Sequence, residues 1–178
     1  MTHASAQPVV QEAQPARGLL RDLARFASLA TLALALVVGV LVGLGGKSEA
    51  APNLTREVLR NSVVQLTNVA RASKGCRPLK QNSRLELAAQ RHANDMANKN
   101  YFSHNSIDGT PWWKVIMRAG YKDPAGQNIA RGFSSTRPLH KAWMNSPLHR
   151  KNIMNCKFRT IGIGFNANGD YWVQDFGY

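Results

Sequence analysis

The chain has 178 residues, with 23 Lys+Arg against 10 Asp+Glu and a formal net charge of +13. That length is enough for one ordinary domain plus a targeting segment and no more. Two cysteines with no CxxC spacing argue against a cysteine metal module. The dispersed basic residues (Arg56, Arg60, Arg71, Lys74, Arg77, Lys80, Arg84, Arg91) form no recognisable nucleic-acid-binding motif.

Residues 1–25, rich in Ala, Gln and Pro, read as a disordered cytoplasmic n-region. Arg17, Arg21 and Arg25 precede an uncharged apolar run over 26–46, FASLATLALALVVGVLVGLGG. The run is long enough to span a bilayer as a helix. A positive flank before an apolar core also describes a secretory signal. Ser48-Glu49-Ala50 then places small residues where a signal peptidase reads them. The preferred reading is cleavage after Ala50, with an uncleaved N-terminal anchor as the alternative. In both, the arginines stay cytoplasmic and the rest is exported. Residues 47–53 read as a linker, and the ordered domain is expected over 54–178.

Within that domain, Val58, Leu59, Val63, Leu66, Val69 and Ala70 recur at helical spacing over Thr55–Ala72, and Gly75 ends the segment. Ser83-Arg84-Leu85-Glu86 reads as a capping box. It opens a helix whose apolar face carries Leu85, Ala88, Ala89, His92, Ala93 and Met96. Thr110-Pro111 starts a shorter helix that Gly120 stops. Arg137-Pro138 begins another, ending near Asn145, and Pro147 opens a turn through Ile153. Thr160–Phe165 and Tyr171–Phe176 are rich in β-branched and aromatic residues, joined by NANGD, whose Asn168-Gly169 favours a tight hairpin turn. Gly162 and Gly164 point to a close packing neighbour. Helices first and a hairpin last give an α+β domain.

Four of the basic residues (Arg17, Arg21, Arg25, Lys47) and three of the acidic ones (Glu12, Asp22, Glu49) precede Ala51, so the exported part carries 19 against 7, a net +12. Such a charge attracts polyanions such as anionic lipid head groups or acidic wall polymers. A solvated basic surface is the bland alternative. Cys76 and Cys156, an even count in an oxidising compartment, favour a disulfide over two free thiols.

Read as a set, LAAQRHANDMANKNYFSHNSIDG from Leu87, AGYKDPAGQNIARG from Ala119, AWMNSPLHRKNIMNCKFRTIGIGF from Ala142 and YWVQDFG from Tyr171 resemble the CAP superfamily of cysteine-rich secretory, antigen 5 and pathogenesis-related 1 proteins. The likeness is greatest to its short bacterial exported members, whose GC…NC cysteine pair falls on Cys76 and Cys156. The resemblance implies a three-layer α-β-α sandwich with a central antiparallel sheet. It also implies a cleft where two histidines and two acids can bind a divalent cation. The histidines match His104 in FSH and His149 in SPLHR. The first acid is replaced in Gly126-Gln127-Asn128, and Trp143 is followed by Met144, Asn145 and Ser146, so neither acidic position holds a carboxylate.

The candidate ligand cleft is therefore His104, Gln127, Asn128, Ser146 and His149, with His104 and His149 as the only candidate metal ligands. A catalytic zinc wants at least three protein ligands. Two imidazoles permit only a weak divalent-cation site, and none is required. Glutamine removes a general base at 127, because an amide does not titrate. Ser103, Ser106 and Ser146 lack an acid to orient an adjacent imidazole. Asp108 reads as a turn former, His92 as a core histidine and His140 as a helix-surface residue. Of Trp112 and Trp113, one is expected in the core and the other elsewhere, while Trp143 and Trp172 read as core.

The leading expectation is an exported, non-enzymatic domain binding a lipid or other amphiphile, or an anionic envelope component. The alternatives are a cation-dependent hydrolase at His104/His149 and a structural or adhesive surface module. Nucleic acid is not an expected partner.

Overall fold

The computed structural model describes residues 50–178. The expectations for residues 1–49 (n-region, apolar run and cleavage signal) lie outside the described residues. Among the described residues, no helix is long and apolar enough to cross a membrane.

Helix α1 spans Ala50–Ala72, so residues 50–53, expected as linker, belong to the first helix. Its buried face is rotated from the apolar stripe expected. Val63, Val64, Thr67 and Arg71 are buried, whereas Val58 and Val69 are 58% and 71% exposed. Polar partners cause the rotation. Thr67 takes a hydrogen bond from Gln174 Nε2 at 2.9 Å. Arg71 donates to the carbonyls of Arg77, Ile153, Asn155 and Phe158 at 2.8–3.2 Å. This fully buried guanidinium ties the two segments joined by the Cys76–Cys156 disulfide, whose Cα atoms lie 4.9 Å apart. Burial, then Arg159, lowers its pKa.

After the two-residue strand β1 (Lys80–Gln81) comes α2, Ser83–Lys99. Its cap is Asn82 rather than the expected Ser83: Asn82 Oδ1 accepts from the Arg84 and Leu85 amides. Glu86, instead of closing a capping box, pairs with Arg60 at 3.1 Å. The expected face is otherwise the buried one, Leu85 through Met96. Asn100, at φ 49°, ends the helix in the left-handed conformation.

Helix α3 spans Trp112–Arg118, with Pro111 at the cap position rather than inside the first turn. Strand β2 spans Pro124–Ala130, α4 Thr136–Asn145, α5 Pro147–Ile153, β3 Thr160–Asn166 and β4 Tyr171–Gly177. The sheet order is β1-β3-β4-β2. The three long strands are antiparallel, and β1 adds a short parallel edge to β3. The β3–β4 connection is a four-residue loop between paired Asn166 and Tyr171, with positive φ at Gly169 and Asp170 rather than at Asn168 and Gly169.

Helices cover both sheet faces, giving the three expected layers. On one face α2 lies against β3 and β4, because Gly162 and Gly164 leave room for its backbone. A Cβ at either would come within 2.2 Å of α2 main-chain atoms at Leu85–Glu86 and at Ala89. Ala89, Ala93, Met96, Ile129, Tyr171 and Val173 fill this layer. On the other face, Trp143, Ile153, Ile161, Ile163, Phe165, Trp172 and Phe176 form the larger core beneath α1, α4 and α5. The buried residues of the apolar clusters all lie within 63–176, inside the described residues.

Candidate functional site

Strand alternation sets the site. Gln127 on β2 stands opposite Asp175 on β4, on the α2 face. Asn128 stands opposite Gln174 on the reverse face.

On the α2 face, His104 lies on the loop after α2. That loop is held from below by His92, whose Nε2 bonds the Ser103 carbonyl at 2.9 Å. His92 is thus the core histidine expected, with Nδ1 left without a hydrogen-bond partner. Asp108 is the turn former expected, its Oδ1 taking the Thr110 amide at 2.8 Å. His104 Nδ1 meets Gln127 Oε1 at 2.9 Å, and Gln127 Nε2 donates to Asp175 Oδ1 at 2.9 Å. An amide oxygen can only accept, so His104 carries its proton on Nδ1 and keeps a lone pair on Nε2.

Positions 127 and 144–146 hold no acid, as expected, yet the site is not without one. A carboxylate is present, contributed by β4 and one residue removed from His104. Asp175 is 1% exposed, and its Oδ2 has no hydrogen-bond partner. Burial pushes its pKa up to about 8, against the opposing bond from Gln127. At neutral pH its folded-state carboxyl is thus mainly protonated.

On the reverse face, Asn128 Nδ2 donates to Gln174 Oε1 at 2.9 Å and to the His149 carbonyl at 3.2 Å. Asn152 Nδ2 donates to Asn128 Oδ1 and to the Gln127 carbonyl. This amide chain fastens α5, and with it His149, to β2. His149 is fully buried, and neither ring nitrogen has a hydrogen-bond partner among the described residues. Burial, reinforced by His104, lowers its pKa to about 4. Burial also lowers His104, partly offset by the Gln127 bond. Both imidazoles are neutral at pH 7. His149 offers one lone pair and one N–H, and His104 one lone pair on Nε2, groups suited to a polar uncharged function or to the hydrogen-bonding part of a larger ligand.

Ser146 sits at the α4–α5 junction. Its amide bonds the Ala142 and Trp143 carbonyls and its own carbonyl takes the Arg150 amide. No hydrogen bond joins its hydroxyl to either histidine among the described residues, so it stays outside the linked site. His140 corrects another expectation: it is half-buried, with Nε2 enclosed and unpartnered, and burial lowers its pKa. Trp112 packs beside Ile116 while Trp113 is 40% exposed, and Trp143 and Trp172 are fully buried.

The donor set does not fit a tetrahedral zinc. The Gln127 amide is spent on His104 and Asp175, and no group of three or more His, Cys, Asp or Glu able to hold a metal ion occurs among the described residues. Asp175, Gln174, Asn152 and Thr67 were not legible as site residues. The available signal was the pair of adjacent polar residues in each of two strands, Gln127-Asn128 and Gln174-Asp175.

The sequence model of the cysteine-rich secretory protein family, CAP, matches residues 64–176. The chain is 41% identical over 115 residues to the Bacillus subtilis uncharacterized protein YkwD, covering 64% of this chain and 45% of that one. It is 32% identical over 116 residues to the B. subtilis uncharacterized membrane protein YlbC, covering 64% and 33%. It thus spans less than half the length of these curated relatives. Among solved structures it is similar to an extracellular protein containing a SCP domain from Bacillus anthracis (TM-score 0.68, 26% identity, 75% of this chain and 45% of that chain). It also resembles a cysteine-rich secretory protein from Staphylococcus aureus (TM-score 0.57, 25% identity, 69% and 39%). Fold, disulfide and family match agree: the chain belongs to the cysteine-rich secretory protein family, with the CAP domain of bacterial extracellular proteins.

Proposed function

We propose that this protein is exported to the cell envelope, where the His104/His149 cleft receives the polar head of a lipid or other small amphiphile without transforming it. The observation carrying this reading is His149: a buried imidazole with both nitrogens unpartnered, near enough to His104 to feel its charge. Buried polar atoms in folded proteins find partners, so two left open in one side chain favour a bound group that supplies them. The same site supports binding without catalysis. Asp175 is held neutral behind an amide, and no serine hydroxyl bonds either histidine among the described residues. Export is supported by the positive flank and apolar run, by the disulfide, and by the extracellular neighbours.

The test is solvent extraction and mass spectrometry of the exported protein purified from its host. An amphiphile that accompanies wild type and is missing from His149→Leu is the expected result; a protein empty in both forms contradicts the proposal. A hydrolase reading keeps one supporting observation, since Asp175 orients His104 through Gln127. Metal titration with a His149→Ala control decides it: affinity tighter than about micromolar, lost in the variant, sustains the hydrolase.

A further inference from the structure

A second binding surface lies around α3, on the far side of the loop that carries His104. A cleft of about 290 Å³ opens where α2, the 103–110 loop and α3 meet, lined among others by Arg91, His92, Asp95, Lys99, Asp108 and Arg118. Its acids are already engaged. Asp95 holds Lys99 at 2.7 Å and takes the Tyr101 hydroxyl, and Asp108 caps the Thr110 amide. Arg91 and Arg118 are exposed, with no hydrogen bond or ion pair to another described residue; Arg118 feels Asp108 only at a distance. The cleft therefore presents two free guanidiniums, and buried His92 is among the residues that line it.

The exposed arc of α3 continues this site. At 100° per residue the solvent side runs Trp113, Met117, Lys114, Arg118, two apolar residues then two cations. Trp113 and Met117 are 40% and 50% exposed. Lys114 Nζ lies 5.4 Å from the Trp113 ring. Ile107, between cleft residues Ser106 and Asp108, is 59% exposed. A soluble anion needs the guanidiniums but makes no use of an exposed Trp, Met and Ile beside them. A tryptophan with one apolar side and a cationic neighbourhood suits a bilayer interface.

We propose that the α3 surface docks on a bilayer containing anionic phospholipid, a headgroup phosphate entering the cleft between Arg91 and Arg118 while Trp113, Met117 and Ile107 sit at the acyl boundary. The surface shares the 103–110 loop with His104 but does not include His149 on α5, so His149→Ala leaves docking intact.

Co-sedimentation of folded 50–178 with phosphatidylcholine vesicles, with or without phosphatidylglycerol, tests this. Wild type pellets with the phosphatidylglycerol vesicles and stays in solution with phosphatidylcholine alone. Arg91→Gln/Arg118→Gln lowers the affinity roughly tenfold or more, as loss of two surface cations does at an anionic membrane. Trp113→Ser/Met117→Ser lowers it several-fold at unchanged charge. The charge-matched control Arg137→Gln/Lys141→Gln, on α4 in the opposite layer, changes it less than about twofold, lying beyond the screening length. Three results overturn the proposal: no pelleting; a control as weak as the cleft variant, which assigns binding to overall basicity; or a Trp113/Met117 variant equal to wild type, which leaves a soluble anion or a protein as the cleft's partner.

Discussion

Asp175→Asn should raise the stability of this protein and remove one component of its pH dependence. In the fold, Asp175 binds its proton up to about pH 8, while in the unfolded chain it releases it near 3.8. Between those values the folded state holds more protons, so stability falls as pH rises, by about 1.4 kcal/mol per unit at the limit. His149 acts in the opposite sense. Its pKa drops from 6.5 to about 4 on folding, so its contribution grows as pH rises through that window and masks Asp175 there. The clear window is pH 6.5–8, where burial of Asp175 costs about 2 kcal/mol more at the upper end than at the lower. Asparagine keeps the shape and an oxygen to accept from Gln127, and it does not titrate. Urea unfolding of 50–178 at half-unit steps from pH 6.5 to 8 should show wild type losing about 2 kcal/mol relative to Asp175→Asn, which keeps the opposing His149 contribution. An equal slope in both proteins would refute the buried neutral carboxyl.

Three further outcomes follow from the geometry. Gly164→Ala forces a methyl to within 2.2 Å of the Ala89 main chain and should cost about 3 kcal/mol or more in chemical denaturation, because backbone cannot step aside as a side chain can. Reducing Cys76–Cys156 opens a closed loop with 80 residues of sequence separation, and the midpoint should fall by an amount equivalent to about 4 kcal/mol. Gln127→Glu puts a carboxylate on His104 Nδ1, so the His104 pKa should rise in an NMR titration, and zinc affinity by calorimetry should increase at least about tenfold.

How much of this was legible follows from where hydrophobicity tracks burial. Helix α2 was readable because its buried face is alanine, leucine and methionine, with His92 the one polar member. In α1, Arg71 and Thr67 take core positions and turn Val58 and Val69 outwards, an exchange no apolar periodicity records. Strand β1 has two exposed residues and exists only through its pairing with β3. Strand β2, PAGQNIA, carries proline, glycine and two amides, and resembles a loop until β4 is placed beside it.

The site divides in the same way. His104, Gln127, Asn128 and His149 were found through family motifs. Asp175 was not, because a carboxylate in a strand ordinarily faces water. Here both sheet faces are covered by helices, so neither side of β4 reaches solvent and alternation loses its meaning. Gln174 and Asp175 are buried on opposite faces, each matched by an amide on β2.

Gln127 and Asp175 fix His104 as an Nδ1-protonated ring, while His149 on α5 is buried, neutral and unpartnered. Long-range ¹H–¹⁵N correlation spectra of the histidine rings, recorded from pH 4 to 8, test this most directly. His104 should be neutral at pH 7 with its proton on Nδ1, and His149 neutral until the pH approaches about 4. A His104 proton on Nε2, or a His149 that titrates at its ordinary value of 6.5, would contradict it.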